Sequence, residues 1–379
     1  MTSENILYIG NPKSIHDLKW ISFFSTKNNY KTFLISEKNT YMGLTQSKEQ
    51  ELKDHQIILL PPINDFSLSN PLKTINSIFQ LRKVIKKNNI DTVHCLFGSP
   101  QPIWLNFIPS KLKKIITTRG SDVLILIKGL KDKKSFTNSI LFYLIKKGFV
   151  IADFITSTSQ KQIEYINNHL KNSKIELIKT GVDIDKIKNH HSKYNFEIPI
   201  NKKIVLSIRY IGEIYNMSYQ LKAIDMLPLQ FKKELTFVFI RGAQLQDSYY
   251  DKFVSDLKKI DNINYSILDD LSQNKIWALI KLSDLVYMVP KSDGTPNSAL
   301  ETMVAKTPLI MGNLNYNKEL FDNVALIADL DSPNSLSRQI IKAIEAYPPS
   351  LIKNGFNNVY EFGNRKIEMN KLNEIYQLN

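Results

Sequence analysis

Residues 291–310 read KSDGTPNSALETMVAKTPLI, and two acids in them, Asp293 and Glu301, stand on either side of a turn and the start of a short apolar helix. Thr295 followed by Pro296 is a good N-cap and N1 pair, so the pattern predicts a helix through NSALETMVA. The first-turn N–H groups and the helix dipole act in the same direction, which makes such a start a seat for phosphate. Glu301 is six residues past Thr295, about 9 Å along the axis, roughly a diphosphate away from the helix tip. Carboxylates are strong acceptors for paired hydroxyls. The competing reading is an ordinary capped helix whose acids face solvent. Against it stand five features together: the strand LVYMVP, the DG turn, the T-P start, the spaced Glu and the PLI strand that follows.

These residues need a frame, and short apolar runs alternating with helical patterns supply one. NILYIG, KTFLIS, QIILLP, DTVHCLF, KIITTRG, FITSTS and IELIKTG read as strands of a first series; KIVLSI, TFVFIR, INYSI, LVYMV and PLIMG form a second. HDLKWISFFSTKN, NPLKTINSIFQLRKVIKKNN, SFTNSILFYLIKKG, QKQIEYINNHL, YYDKFVSDLKKI and SQNKIWALIKLS space their apolar residues as helices do. The pattern predicts two doubly wound α/β domains, with ligands at the carboxyl ends of the strands. The polar stretch 186–202 marks the joint, giving an N-terminal domain over 1–190, a C-terminal domain over 191–355, and a helical segment over 356–379 that packs back on the first.

A chain of 379 residues suits two such domains, and no apolar run reaches the roughly 18 to 20 residues of a membrane span. The amino-terminal MTSENILYIG reads as a first strand and not a signal peptide, so a cytoplasmic location is expected. The single Cys95 excludes an intramolecular disulfide framework and a cysteine zinc site. Net charge is +14, and residues 1–200 hold 29 Lys+Arg against 16 Asp+Glu, while residues 101–150 alone hold 10 against 2. An anionic partner is expected on that half.

Asp293, GTPNSAL and Glu301 reproduce an acid, seven residues, then Glu, and in this the chain resembles retaining glycosyltransferases of family 4. The resemblance spans nearly the whole chain. It implies the GT-B fold, two Rossmann-like domains facing across a cleft. It also implies transfer of a sugar from a nucleotide diphosphate sugar to a hydroxyl acceptor, a hexosyl type of transfer with retention, as in bacterial surface polysaccharide or glycoconjugate assembly. By the same resemblance Asp293 contacts the transferred sugar, Glu301 the ribose, and Arg209, after IVLSI, the donor diphosphate. Gly294, Thr295, Pro296, Asn297 and Ser298 form the helix start that holds that diphosphate. Where the family commonly adds Lys-Gly, this chain reads GEIYNMSYQ, so Arg241 is the candidate second cation for the leaving group. Lys306 stands where the family often has Gly, so a residue with a Cβ is expected in a left-handed position.

On the acceptor side, GNPKSIHDLKW resembles the family's opening loop, with Gly10 allowing close approach to ligand and His16 entering the next helix. TTRGSD resembles a segment usually written His-Gly-x-Asp, which sets Arg119 in the His position ahead of Asp122. His94, ending DTVH, is a candidate contact to acceptor or donor sugar. Gly181 and Asp183 of KTGVD match the family's segment near the end of the first domain. The pairs at 183–185 and 329–331 have Asp-x-Asp form, yet no cofactor and no metal is expected, the nucleotide sugar being a co-substrate.

Partners expected are that donor, a glycan or lipid-linked acceptor and, through a helix with Phe136, Ile140 and Leu144 on one face beside Lys146 and Lys147, a peripheral contact with an anionic membrane. Packing of that face on the sheet is the plainer alternative. No interleaving of aromatic and basic residues marks a nucleic-acid surface. Two other functions share the architecture: a nucleotide-sugar epimerase, and a catalytically silent binding subunit.

Overall fold

The computed structural model describes residues 4–133, 135–170, 174–199, 201–242, 247–269 and 271–378. Of the segments read above, residues 1–3, Lys134, Ile200 and Asn379 lie outside these. The first series of apolar runs becomes β1 (Glu4–Ile9), β2 (Tyr30–Ile35), β3 (Ile58–Leu59), β4 (Thr92–Cys95), β5 (Lys113–Thr118), β6 (Phe154–Ser157) and β7 (Ile175–Leu177). The second becomes β8 (Lys203–Tyr210), β9 (Leu235–Ile240), β10 (Asn264–Leu268), β11 (Leu285–Met288) and β12 (Leu309–Gly312), joined by a three-residue β13 (Leu326–Ala328) too short to show as an apolar run. The sheet orders are β3-β2-β1-β4-β5-β6-β7 and β10-β9-β8-β11-β12-β13, and the pairings are parallel. Each order reverses direction at one place, between β1 and β4 in the first sheet and between β8 and β11 in the second. Backbone connections diverge there and leave room beyond the carboxyl ends of the strands.

Period-two alternation distributes the strand residues over two covered faces. In the first sheet Leu7, Ile9, Val93 and Ile116 point into one core with the helix Pro71–Lys87, while Ile6, Tyr8 and Ile115 point into another with the helix Ile15–Ser25. The last helix, Arg365–Gln377, completes that second face with Met369, Leu372, Ile375 and Tyr376. In the second sheet Leu206, Val286 and Met311 pack with Leu300 and Met303 of the helix Asn297–Ala305, and Phe237, Tyr287 and Ile310 fill the other side. Helix starts follow local capping chemistry: Asn70 and Ser135 accept from Lys73 N and Asn138 N.

The chain divides into two compact units, Met1–Thr180 with Ile367–Asn379, and Gly181–Lys366. Within the stretch 186–202, read above as a joint, Ile187, Phe196 and Ile198 are buried in a core of the second unit. Gly181 has φ +61°, and a Cβ there would stand 2.7 Å from Gly363 O and 2.8 Å from Arg365 N, so glycine is required where these strands of backbone meet.

Candidate active site

In the second unit the segments after β8 and β11 flank the point of reversal, and Arg209 is the penultimate residue of β8. Its Nη2 lies 3.2 Å from Asp293 Oδ2, its Nη1 donates to Ser298 Oγ at 3.3 Å, and its guanidinium stacks over the Tyr215 ring at 4.7 Å. The Asp293 contact is an ion pair without hydrogen-bond alignment: Oδ1 accepts from Gly294 N at 2.8 Å, and Oδ2 is buried with no hydrogen-bond partner. Thr295 Oγ1 and Tyr316 Oη are also buried and unpartnered. Burial pushes the Tyr316 hydroxyl well above its usual pKa, the Asp293 charge adds to this and Arg209 opposes it, so Tyr316 remains a proton donor at neutral pH. A cation, a carboxylate and two unsatisfied hydroxyls therefore surround one helix start. Buried polar atoms of this kind require a ligand or water.

The helix start differs by one residue from the expected one. Pro296, with φ −70° and ψ 115°, occupies the N-cap, and Asn297 is the first helical residue. Proline's ring fixes φ but leaves ψ extended here, so the Thr295 hydroxyl does not cap and no side chain does. The dipole end is thereby left to an anion. Glu301, on the second turn, is buried and accepts from Gln273 Nε2 at 3.1 Å. Lys306 does take the left-handed conformation, φ 60° and ψ 27°, as the C-cap. Arg241 follows β9 and stacks over Tyr250 at 4.3 Å. A Cβ on Gly294 would meet nothing within 4 Å.

In the first unit, two residues take roles other than those expected. His94 is fully buried, its Nδ1 paired with Tyr376 Oη at 2.6 Å and its Nε2 with Thr117 Oγ1 at 2.7 Å. Burial, and then the Arg119 charge, lowers its pKa to about 3. It is a neutral core histidine holding the last helix to the sheet, with neither nitrogen left for a substrate. Asp122 is likewise enclosed, accepting from the backbone N–H groups of Gly98 (2.7 Å), Arg119 (3.0 Å), Gly120 (2.8 Å) and Val123 (3.0 Å). Burial raises its pKa against the pull of these donors, and its work is to tie the loops after β4 and β5 together. Gly10 is glycine because a Cβ would stand 2.6 Å from Asp17 Oδ2.

Asp17 went unnoticed in the sequence. Its Oδ1 pairs with Arg119 Nη1 at 2.6 Å and its Oδ2 accepts from Asn11 N at 2.8 Å, so it aims the arginine and shapes the loop after β1. Arg119 keeps Nε and Nη2 buried without partners. His16 is exposed on the first turn of the same helix as Asp17. The usable clue was Asp17 at N3 behind the Ser14 cap, where a carboxylate meets free N–H groups. Tyr316, Tyr215 and Gln273 carried no comparable signal. Among the described residues no group of three His, Cys, Asp or Glu side chains is placed to hold a metal ion. Asp183 caps the helix Ile184–Lys188, and Asp329 accepts from Asn313 Nδ2 at 3.1 Å.

Sequence families match both units. The family described as Glycosyl transferase 4-like matches residues 5–159, and that described as Glycosyl transferases group 1 matches residues 190–357. No curated protein matches the chain. Among solved structures, a glycosyltransferase from Rickettsia africae superposes with TM-score 0.75 at 15% identity, covering 100% of this chain and 98% of that one. HepE from Anabaena, in complex with UDP and glucose, gives TM-score 0.75 at 13% identity and 99% coverage of both chains. WaaG, a glycosyltransferase involved in lipopolysaccharide biosynthesis, gives 0.67 at 13%, covering 98% of this chain and 99% of that one. The chain belongs to the family-4-like glycosyltransferases of GT-B fold, whose reaction is sugar transfer from a nucleotide sugar.

Proposed function

We propose that this glycosyltransferase moves a hexose from a nucleotide diphosphate sugar to a hydroxyl of a glycan or lipid-linked acceptor, with retention at the anomeric carbon. The setting is assembly of a surface polysaccharide or glycoconjugate at the cytoplasmic face of a membrane. The observation that carries the donor half is the cluster of Arg209, Asp293, Thr295 and Tyr316 around an uncapped helix start at the reversal point of the second sheet. In this reading Arg209 and the N–H groups of the helix start take the leaving diphosphate, with Arg241 as second cation. Their charge is fixed before reaction, so it stabilises the transition state without reorganisation. Asp293 accepts from the sugar hydroxyls, Tyr316 donates beside it, and Glu301, steadied by Gln273, binds the ribose. Arg119 and His16 face the acceptor. His94, Asp122 and Gly10 serve the fold. No cofactor or metal is assigned: the diphosphate's charge is met by arginine and the dipole. Attack on the same face as departure, with the leaving phosphate taking the acceptor proton, suits a site whose carboxylates are engaged in binding.

Titrating UDP, GDP, ADP and CMP against thermal unfolding tests the donor half, because a ligand of the native state raises the midpoint. HepE binds UDP and UDP-glucose, and UDP is expected to give the largest shift here. Glu301→Ala should weaken that nucleotide about tenfold or more, the equivalent of one charge-assisted hydrogen bond pair. Unchanged affinity would remove Glu301 from the ribose, and no shift with any of the four would remove the donor reading.

A further inference from the structure

Arg119 is the first residue after β5, and the backbone it stands on is held by one acid. Asp122 accepts from the N–H groups of Arg119 and Gly120 and from that of Gly98 in the loop after β4. Gly120 turns the chain at φ +124°, a conformation that favours glycine. The arginine side chain is therefore launched from a fixed point. β5 lies next to β4 in the sheet, so its loop borders the reversal between β1 and β4, where connections diverge beyond the carboxyl ends of the strands.

A second acid fixes the guanidinium itself. Asp17 Oδ1 accepts from Nη1 at 2.6 Å, and Oδ2 is tied to Asn11 N at 2.8 Å. This leaves Nε and Nη2, the two N–H groups of the opposite edge, buried and without a partner. That edge is the fork whose parallel N–H groups match two oxygens of a carboxylate or phosphate. The side chain is 13% exposed, so the fork lies just beneath the surface and not in the core. Gln162 stands by the same loop: its Nε2 is 3.9 Å from where a Cβ on Gly120 would sit and donates to Thr158 Oγ1 and Ser159 Oγ, and its Oε1 is buried with no partner.

We infer that Arg119 seats a carboxylate or phosphate group carried by the acceptor sugar, so that the acceptor is an acidic sugar and not a neutral one. A guanidinium does not lose its proton to escape burial, so an empty fork has to be met from outside. A sugar hydroxyl meets one of its N–H groups and leaves the other bare, whereas an oxyanion meets both and brings the opposite charge. Neither nearby acid stands in the way. Asp17 lies at N3 of the helix Ile15–Ser25, where the dipole favours a negative charge, and the charge of Asp122 is met by the backbone N–H groups of Gly98, Arg119, Gly120 and Val123. The inference rests on the reading that places the acceptor on the first unit, and it adds the chemical class of that acceptor.

The test is calorimetric titration of the full chain with glucuronate, glucose 6-phosphate and glucose in the presence of excess UDP, which keeps added anions off the Arg209 cluster. One of the two acidic sugars should bind at least about tenfold more tightly than glucose, the equivalent of one charge-assisted hydrogen bond pair. Glucuronate in the lead assigns a uronate acceptor, and glucose 6-phosphate a phosphorylated one. Arg119→Lys keeps the charge opposite Asp17 and removes the fork, so it should weaken the leading sugar about tenfold with UDP affinity unchanged. Arg119→Gln, which loses the charge as well, should abolish the preference over glucose and serves if the lysine variant does not fold. Equal binding of all three sugars by wild type, or an acidic sugar held as tightly by both variants, would overturn the inference. A parallel loss of UDP affinity in Arg119→Lys would also overturn it, by giving the fork to the nucleotide. UDP that fails to bind at all removes the donor reading alone, since the same comparison of wild type with the variants runs without it.

Discussion

Three side chains of the first unit show how burial assigns work. Asp17 and Arg119, paired at 2.6 Å with side chains only 6% and 13% exposed, form an ion pair whose halves depend on each other. Asp17→Asn should therefore destabilise the protein by about 3 kcal/mol, because it leaves a guanidinium enclosed without its countercharge; urea unfolding measures this. His94 titrates in the opposite sense from a salt-bridged histidine. Its folded pKa, lowered to about 3, lies below the ordinary value near 6.5. Between those values the unfolded chain binds the extra proton, so the stability His94 contributes is whole above about pH 6.5 and is lost as pH falls toward 3. The loss should approach about 2 kcal/mol by pH 5, seen as a falling unfolding midpoint. His94→Gln should start from a lower midpoint and show a shallower slope over that range.

At the scale of elements, close packing and backbone strain can be told apart. A Cβ on Gly148 would lie 2.2 Å from Pro102 O and 2.8 Å from Pro102 C, both backbone atoms that cannot swing aside. Gly148→Ala should cost about 3 kcal/mol by forcing the Phe136–Ile151 helix off its neighbour. Lys306 is the contrary case. Its left-handed φ of 60° costs about 1 kcal/mol, but its Nζ lies 4.9 Å from the Phe356 ring, a contact worth about 0.5–1 kcal/mol at an exposed site. Lys306→Gly alone should thus be nearly neutral. In a Phe356→Ala background it should stabilise by about 1 kcal/mol, and the difference between the two is a double-mutant cycle in urea.

At the scale of the whole molecule, the carboxyl-terminal helix is part of the first unit's core. Met369, Leu372, Ile375 and Tyr376 are essentially enclosed, each worth about 1.5–3 kcal/mol of burial. Their sum is comparable with the entire net stability of a domain, about 5–15 kcal/mol. Truncation after Asn364 should therefore unfold the first unit, measured as loss of its cooperative melting transition. Tyr376→Phe is the mild version. It removes the hydroxyl shared by His94 (2.6 Å) and Tyr8 (3.0 Å), and should cost about 1–3 kcal/mol for the polar atoms left unpaired.

Two parallel sheets could be read from the chain because a strand covered on both faces must be apolar almost throughout, and runs such as NILYIG and TFVFI have few other uses. The segment SDGTPNSALE was legible for a similar reason: turn, helix start and second-turn Glu follow one another within a dozen residues, so local geometry alone brings them together. What the sequence could not show was any meeting of distant segments. Asp17 reaches Arg119 across 102 residues, Gln273 reaches Glu301 across 28, and His94 reaches Tyr376 across 282. Strand order and helix docking bring these groups together, and periodicity reports only which face a residue occupies. His94, at a strand end, and Asp122, in the TTRGSD segment, were candidates that local sequence could not separate from core groups; enclosure by other elements made them structural. Sequence alone determined the fold class and one local run of turn, helix start and buried glutamate. Tertiary structure decided which of the remaining polar groups were consumed by the fold and which, like Tyr316 and Thr295, were left unsatisfied beside it.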